Sequence, residues 1–119
     1  MNKDLKKFDV LLVNLDPGKG HVQAGLRPVI LIQSNLFNRN SSTLIIVPLT
    51  STEKTLFPSE FLIQPSETNG LMAASRFLGS QMMTVDRCWV LKKMGHLEEV
   101  YHPLVQEALS VALDWEGDF

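Results

Sequence analysis

The sequence predicts one small domain of mainly β-structure that ends in an α-helix. The chain has 119 residues, 45% of them hydrophobic and 20% charged, which suits a single domain with its own core. Short apolar runs of strand length recur along it, separated by glycine, proline and asparagine. Helical spacing over several turns occurs only near the C-terminus. We therefore expect a small antiparallel β-barrel with helical appendages.

The expected elements follow from these local patterns. Ser34 can cap a short helical turn over residues 35–39, between the second and third strands. Pro103 belongs in the first turn of the C-terminal helix, which places the helix start near Tyr101. A loop with one proline and three glycines covers residues 16–26. The predicted strands cover residues 8–15, 29–32, 44–49, 60–64, 75–83 and 90–94.

Composition excludes several classes of protein. No run of about 18 apolar residues is present, so we expect no membrane contact. The basic N-terminus lacks the apolar segment of a secretory signal. Cys88, the single cysteine, cannot form an internal disulfide and is expected to pack as a small apolar residue. These features are typical of a cytoplasmic protein.

The net charge of −2 hides an asymmetry between the two halves of the chain. Residues 1–60 contain seven Lys or Arg and five Asp or Glu, whereas residues 61–119 contain four and eight. A phosphate-binding surface is therefore expected in the first half. The last 22 residues contain six acidic residues and no Lys or Arg. This acidic tail is either solvated or held by a partner.

Common cofactor motifs are missing. The segment Gly18-Lys19-Gly20 lacks the spacing of a phosphate-binding P-loop. The sequence has no HExxH or CxxC, and its three histidines lack ligand spacing. We therefore predict no metal and no cofactor.

Two segments offer candidate site residues. A glycine-flanked loop leads to Arg27, which Pro28 holds extended at the start of a buried strand. A guanidinium fixed in this way can clamp a phosphate or carboxylate, or it can simply bond loop carbonyls. Thr50, Ser51 and Thr52 follow another buried strand. Their hydroxyls can bind a phosphate, but from the residues alone a turn cap is the better interpretation.

The order and spacing of these motifs resemble the MazF/PemK/Kid family of toxins. The match covers nearly the whole chain, and no single motif in it is decisive. The segments that carry it are Phe8-Asp9-Val10, Leu15-Asp16-Pro17, residues 20–29 (GHVQAGLRPV), Gln33-Ser34-Asn35, Phe37-Asn38, residues 47–51 (VPLTS) and residues 81–86 (QMMTVD).

The resemblance implies an SH3-like barrel, usually a homodimer, that cleaves single-stranded RNA at short sequences without a metal. It also implies a cognate antitoxin, whose disordered tail covers the RNA groove. In that family the RNA 2′-hydroxyl attacks the adjacent phosphate. Arg27 matches the arginine that braces the phosphorane, and Thr50 matches the threonine that bonds the scissile phosphate. His21 matches a loop histidine of Kid-like members, as a base or an RNA contact, although a lone loop histidine is often only solvated.

The same resemblance implies an RNA-binding surface around these catalytic positions. Its predicted members are Lys19, Gln23, Ser51, Thr52, Ser80 and Gln81.

The chain departs from the family pattern at four positions. Ser80 stands where Kid-like members place an acidic base, and Leu78 where they place an arginine. Met83 and Val22 replace a further arginine and an acid. A serine is too weak a base to replace a carboxylate, so proton transfer would rest on Arg27, Thr50 and, in one alternative, His21.

Two other functions stay open. One is a toxin similar to CcdB, which shares the barrel and poisons DNA gyrase, because the segment Met82-Met83-Thr84 and the aromatic tail with Trp115 and Phe119 resemble that family. The other is a catalytically weakened family member kept for regulation. The RNA sequence that would be cleaved cannot be deduced.

Overall fold

The computed structural model describes residues 4–16, 25–51 and 56–115. Seven strands form one antiparallel sheet in this part of the chain, and two α-helices accompany them. The strands are β1 (Asp9–Asn14), β2 (Leu26–Leu31), β3 (Thr43–Thr50), β4 (Glu60–Ile63), β5 (Ser75–Leu78), β6 (Met83–Asp86) and β7 (Val90–His96). The helices are α1 (Asn35–Asn38) and α2 (His102–Leu113).

The strand order is β4-β5-β3-β2-β1-β7, and β6 pairs with the first half of β3. The prediction of a mainly β domain with a C-terminal helix is confirmed. The outermost strands, β4 and β7, pair only with β5 and β1 within the described ranges. The described ladders therefore leave the sheet open, and the predicted closed barrel is not confirmed.

The prediction of one strand over residues 75–83 is wrong. The segment forms β5, a 3-10 helix over Gly79–Gln81, and then β6. The Gly79 N–H donates to the Ser59 carbonyl oxygen at 3.0 Å, and a Cβ on Gly79 would lie 2.5 Å from that oxygen. This close approach fits only glycine. It turns the chain so that β5 and β6 pair with different parts of β3.

Two predicted strands are longer than expected because they pair with β1. β2 already begins at Leu26, which pairs with Asn14, so the predicted loop over residues 16–26 ends one residue too late. β7 continues to His96, which pairs with Asp9. Neither partner is close in sequence, so local patterns did not reveal these extensions.

Apolar side chains cover both faces of the sheet, as period-two alternation requires. One face contacts α2 through Val105 and Ala108, and its fully buried members include Val10, Ile30, Val47, Leu49 and Phe77. The opposite face forms a second cluster that includes Leu11, Val13, Val29, Leu31, Leu44 and Ile46. The sheet is thus a two-sided scaffold with its functional candidates at the strand ends.

Both predicted helices are present. The Ser34 hydroxyl accepts a hydrogen bond from the Leu36 N–H at 3.1 Å, which confirms the predicted cap. Pro103 lies in the first turn of α2, after a 3-10 turn over Glu99–Tyr101. Within the described residues, neither helix has the length and apolar character needed to cross a membrane.

Candidate active site

Arg27 is held by the pairing of β1 with β2. Its Cα lies opposite that of Val13 in the ladder, and its side chain is half-buried. Beside Arg27 the Leu15 N–H donates to the Gly25 carbonyl oxygen at 2.8 Å. A Cβ on Gly25 would lie 2.9 Å from the Asp16 backbone nitrogen, so this close contact requires glycine. The contact between Leu15 and Gly25 therefore fixes the start of β2, where Arg27 lies.

Arg27 and Thr50 border one cavity of about 400 Å³. The β2–β3 ladder pairs Val29 with Pro48, and continuing that register by two residues sets Arg27 across from Thr50. Ser51 also lines the cavity, whereas the rest of the lining is largely apolar, including Leu12, Leu26, Leu49, Leu71, Met72 and Met94. Arg27 and three hydroxyl-bearing residues, Thr50, Ser51 and Ser75, thus line a cavity whose other lining residues are apolar, as in a site that orients a ligand by few polar contacts.

Arg27 also borders a second cavity of about 360 Å³, on the side of Gln81. Gln81 ends the 3-10 helix between β5 and β6. Ser80, in the same helix, is exposed and lies outside the lining of both cavities. Arg27 therefore lines one cavity with Thr50 and Ser51 and another with Gln81, and Ser80 precedes Gln81 in the 3-10 helix.

Four predicted site residues fall outside the described residues, and the structure does not test them. These are Lys19, His21, Gln23 and Thr52.

The wall of the larger cavity depends on an anchored loop between β4 and β5. The Asn69 side chain donates to Glu98 Oε1 at 3.1 Å, and the Ser66 hydroxyl donates to Glu98 Oε2 at 2.7 Å. Burial alone would raise the pKa of Glu98, but the hydrogen bonds from Ser66, its own backbone and Asn69 lower it below its ordinary value. An ionised Glu98 thus holds the loop that carries Leu71 and Met72.

Asp86 caps the turn between β6 and β7. Its carboxylate accepts the Cys88 N–H at 3.0 Å, and this hydrogen bond lowers the pKa of Asp86. The same carboxylate raises the pKa of the Cys88 thiol. Cys88 is exposed in this turn, so the expectation that it packs as a small apolar residue is wrong.

Sequence reasoning missed a buried ion pair beside Thr50. Arg76 Nη1 lies 2.9 Å from Glu60 Oε1, and the two side chains are only 9% and 7% exposed. Arg76 stands opposite Thr50 in the β3–β5 ladder. In the sequence, the arginine in the short apolar segment SRFL could have indicated an ion pair. Only the β3–β5 register places this arginine next to Thr50.

The described residues contain no group of three or more His, Cys, Asp or Glu side chains that could hold a metal ion.

Comparison with known proteins identifies the family. A family model described as PemK-like, MazF-like toxin of type II toxin-antitoxin system matches residues 6–113. Endoribonuclease EndoA of Bacillus subtilis is 33% identical over 110 residues, covering 92% of this chain and 94% of EndoA. Endoribonuclease MazF of Staphylococcus saprophyticus is 30% identical over 110 residues, covering 92% and 91%.

A solved structure has the same fold. It is an endoribonuclease in complex with its cognate antitoxin from a mycobacterial species, with a TM-score of 0.75, 20% identity and coverage of 96% of this chain and 99% of that chain. The chain therefore belongs to the PemK-like, MazF-like family of toxins of type II toxin-antitoxin systems.

Proposed function

We propose that this chain is a toxin that cleaves single-stranded RNA at specific sequences without a metal ion. Family membership supports this, as do two relatives named endoribonucleases. The observation that carries the proposal is that Arg27 of β2 and Thr50 of β3 border one cavity at the ends of these two strands. A fixed guanidinium beside a hydroxyl is suited to the charge of a phosphodiester.

In the proposed reaction the RNA 2′-hydroxyl attacks the adjacent phosphorus. Its proton is removed, a pentacoordinate phosphorane forms, and the 5′-oxygen leaves as it is protonated. Arg27 stabilises the charge on the phosphorane oxygens, and Thr50 and Ser51 donate hydrogen bonds to the phosphate. The products are a 2′,3′-cyclic phosphate and a 5′-hydroxyl, and DNA is excluded because it lacks the nucleophile.

This chain lacks the acid and the arginine of Kid-like members, which are Ser80 and Leu78 here, so fewer groups remain for proton transfer. Ser80 is exposed beside Gln81, and a neutral hydroxyl is a weak base. Arg27 and Thr50 are the proposed participants in the described part of the chain. His21 is the proposed additional base or RNA contact, and Lys19, Gln23, Thr52 and Gln81 complete the proposed RNA-binding surface.

The proposal includes three further properties. A cognate antitoxin covers the RNA-binding cavity, as suggested by the related endoribonuclease that was solved with its antitoxin. Two copies of the chain form a homodimer with an SH3-like barrel in each. The enzyme acts in the cytoplasm, where its mRNA substrate is found.

The test is digestion of a long RNA of known sequence in the presence of EDTA. We expect discrete fragments whose 5′ ends can be phosphorylated without prior phosphatase treatment and whose 3′ ends carry a cyclic phosphate. Mapping these ends gives the cleavage sequence. Intact RNA after incubation with folded protein would refute the proposal. DNA breaks that depend on gyrase would favour the CcdB-like alternative instead.

A further inference from the structure

Arg76 lies in a row of side chains that crosses three neighbouring strands. It is paired with Thr50 on β3 and with Leu62 on β4. Directly paired residues in an antiparallel ladder point to the same face, with Cβ atoms about 5 Å apart. The β2–β3 register, continued by two residues, adds Arg27 to the row beyond Thr50. Thr50 therefore stands between two arginines on one face of the sheet.

This row belongs to the face of the sheet that carries the second apolar cluster, because Arg27 pairs with Val13 of that cluster. Leu62 is 46% exposed and Thr50 is half-buried. The core face of β5 is taken by Phe77, which pairs with Leu49, and both of these side chains are fully buried. Arg76 is nevertheless only 8% exposed. The row is thus accessible at Leu62 and in part at Thr50, whereas Arg76 between them is buried.

The guanidinium of Arg76 is incompletely bonded. Among the described residues its one ion pair is the single contact from Nη1 to Glu60, and Nε is buried without a hydrogen-bond partner. A buried donor without a partner costs about 1–3 kcal/mol. The Glu60 carboxylate also accepts the Phe57 N–H at 3.3 Å, which ties the pair to the segment before β4. Glu60 thereby holds Nη1 of the guanidinium, whereas the buried Nε has no hydrogen-bond partner.

From this geometry we infer that Arg76 binds a second phosphate of the RNA, adjacent to the scissile one. Arg27 and Thr50 take the scissile phosphate. In the proposed complex the Arg76 side chain shifts so that Nε, which is buried in the free chain, faces this phosphate while Nη1 stays on Glu60. A phosphate there satisfies the orphaned donor and receives paired hydrogen bonds from the planar fork. This inference rests on the proposed function, because it assumes that RNA occupies the Arg27–Thr50 cavity.

The test measures binding of RNA that cannot be cleaved. The probe is a fluorescent oligonucleotide with the mapped cleavage sequence and a 2′-deoxy nucleotide at the attacking position. A matched series replaces one phosphate at a time with a neutral methylphosphonate. Affinity is measured by fluorescence anisotropy for the unmodified chain, Arg76→Met and Arg76→Lys. Arg87→Met is the control, because Arg87 is also buried but bonds the Ser41 carbonyl at the other end of β3.

We expect Arg76→Met to weaken binding about tenfold, the effect of losing one charge-assisted hydrogen bond. Neutralising one phosphate next to the scissile one should cost the unmodified chain about tenfold but cost Arg76→Met almost nothing. The slope of log Kd against log salt should fall by about 0.7 in that variant. Arg87→Met should keep full sensitivity to every phosphate.

The inference would be overturned if the affinity losses from Arg76→Met and from neutralising a phosphate simply added at every phosphate. It would also be overturned if the two losses were non-additive only at the scissile phosphate. If Arg76→Met does not fold, Arg76→Lys carries the test, because it keeps a cation for Glu60 and lacks Nε. In Arg76→Lys, neutralising the phosphate next to the scissile one should cost less affinity than in the unmodified chain, by a smaller margin than in Arg76→Met. An equal cost in Arg76→Lys and in the unmodified chain would also overturn the inference. Failure of the unmodified chain to bind any of the oligonucleotides would instead refute the proposed function.

Discussion

The two ends of β1 differ in how their polar groups are satisfied. At one end the buried Asp9 carboxylate receives the Lys6 N–H at 2.8 Å, Lys93 Nζ at 3.1 Å and His96 Nδ1 at 2.9 Å. At the other end Arg27 borders two cavities, and no carboxylate of the described residues pairs with it. The charge of Asp9 is compensated by groups that hold β1 to β7. Arg27 instead lies next to open space where a ligand can bind.

This contrast indicates that the bonding partners of a charged side chain decide whether it stabilises the fold or binds a ligand. Asp9 is fully buried and has three donors, so its removal should damage folding. Arg27 is half-buried beside open space, so its removal should damage chemistry. The predictions below test that division, from the largest expected effect to the smallest.

Replacement of Arg27 should have the largest effect on cleavage. Arg27→Ala removes the cation proposed to brace the phosphorane, and we expect the single-turnover rate to fall by about 10²–10³-fold. Unfolding in urea should change little. Arg39→Ala is the matched control, since Arg39 is an exposed arginine at the end of α1. Equal rates for the two variants would remove Arg27 from the reaction.

Replacement of Asp9 should have the largest effect on stability. Asp9→Asn leaves the Lys93 ammonium, the His96 ring nitrogen and one N–H facing an amide, at a cost of about 2 kcal/mol, reduced because Lys93 and His96 are partly exposed. Urea unfolding measures this cost, with Glu107→Gln on the exposed face of α2 as control. The folded fraction should cleave RNA at the original rate. If Asp9→Asn lost RNA cleavage and kept the unfolding free energy of the unmodified chain, the Asp9 end of β1 would serve the reaction and not the fold.

A smaller effect on cleavage is expected at Thr50. Thr50→Val keeps the β-branched shape and removes the hydroxyl, so the cleavage rate should fall about tenfold through one lost hydrogen bond to a charged group. Thr50→Ser keeps the hydroxyl and should recover most of the rate. If valine and serine behave alike, Thr50 serves the strand and not the phosphate.

Glu98 should give the smallest effect, seen as a dependence of stability on pH. Because its folded-state pKa lies below the ordinary value, Glu98 stabilises the fold above that ordinary value and loses this contribution as pH falls through the folded pKa. The difference in unfolding free energy between the unmodified chain and Glu98→Gln should be about 1 kcal/mol near neutral pH and shrink in acid. Glu99→Gln, its exposed neighbour, should show no such trend. A difference independent of pH would mean that the carboxylate charge plays no part in anchoring the loop.

The sequence predicted the location of most elements because each apolar run is bounded by turn residues. The break between β5 and β6 escaped prediction because it depends on the Ser59 carbonyl, twenty residues before Gly79. The extension of β2 to Leu26 depends in the same way on pairing with Asn14. Long-range backbone contacts of this kind leave no periodic trace in one sequence.

The candidate site was predicted in part for a similar reason. Arg27 and Thr50 each occur where a buried strand meets a loop, and the family resemblance links them. Arg76 lies inside a short buried strand, where an arginine is more simply explained by an ion pair. Its relation to Thr50 follows only from the β3–β5 register. Cys88 was expected to be buried, and the turn capped by Asp86 exposes it.

The most direct test of which end of β1 binds RNA is an NMR titration of the chain with the 2′-deoxy oligonucleotide that cannot be cleaved. The account predicts that backbone amide shifts concentrate at Arg27, Thr50, Ser51 and Gln81, while Asp9, Lys93 and His96 stay unchanged. Shifts centred on Asp9 and His96, with Arg27 and Thr50 unaffected, would contradict it.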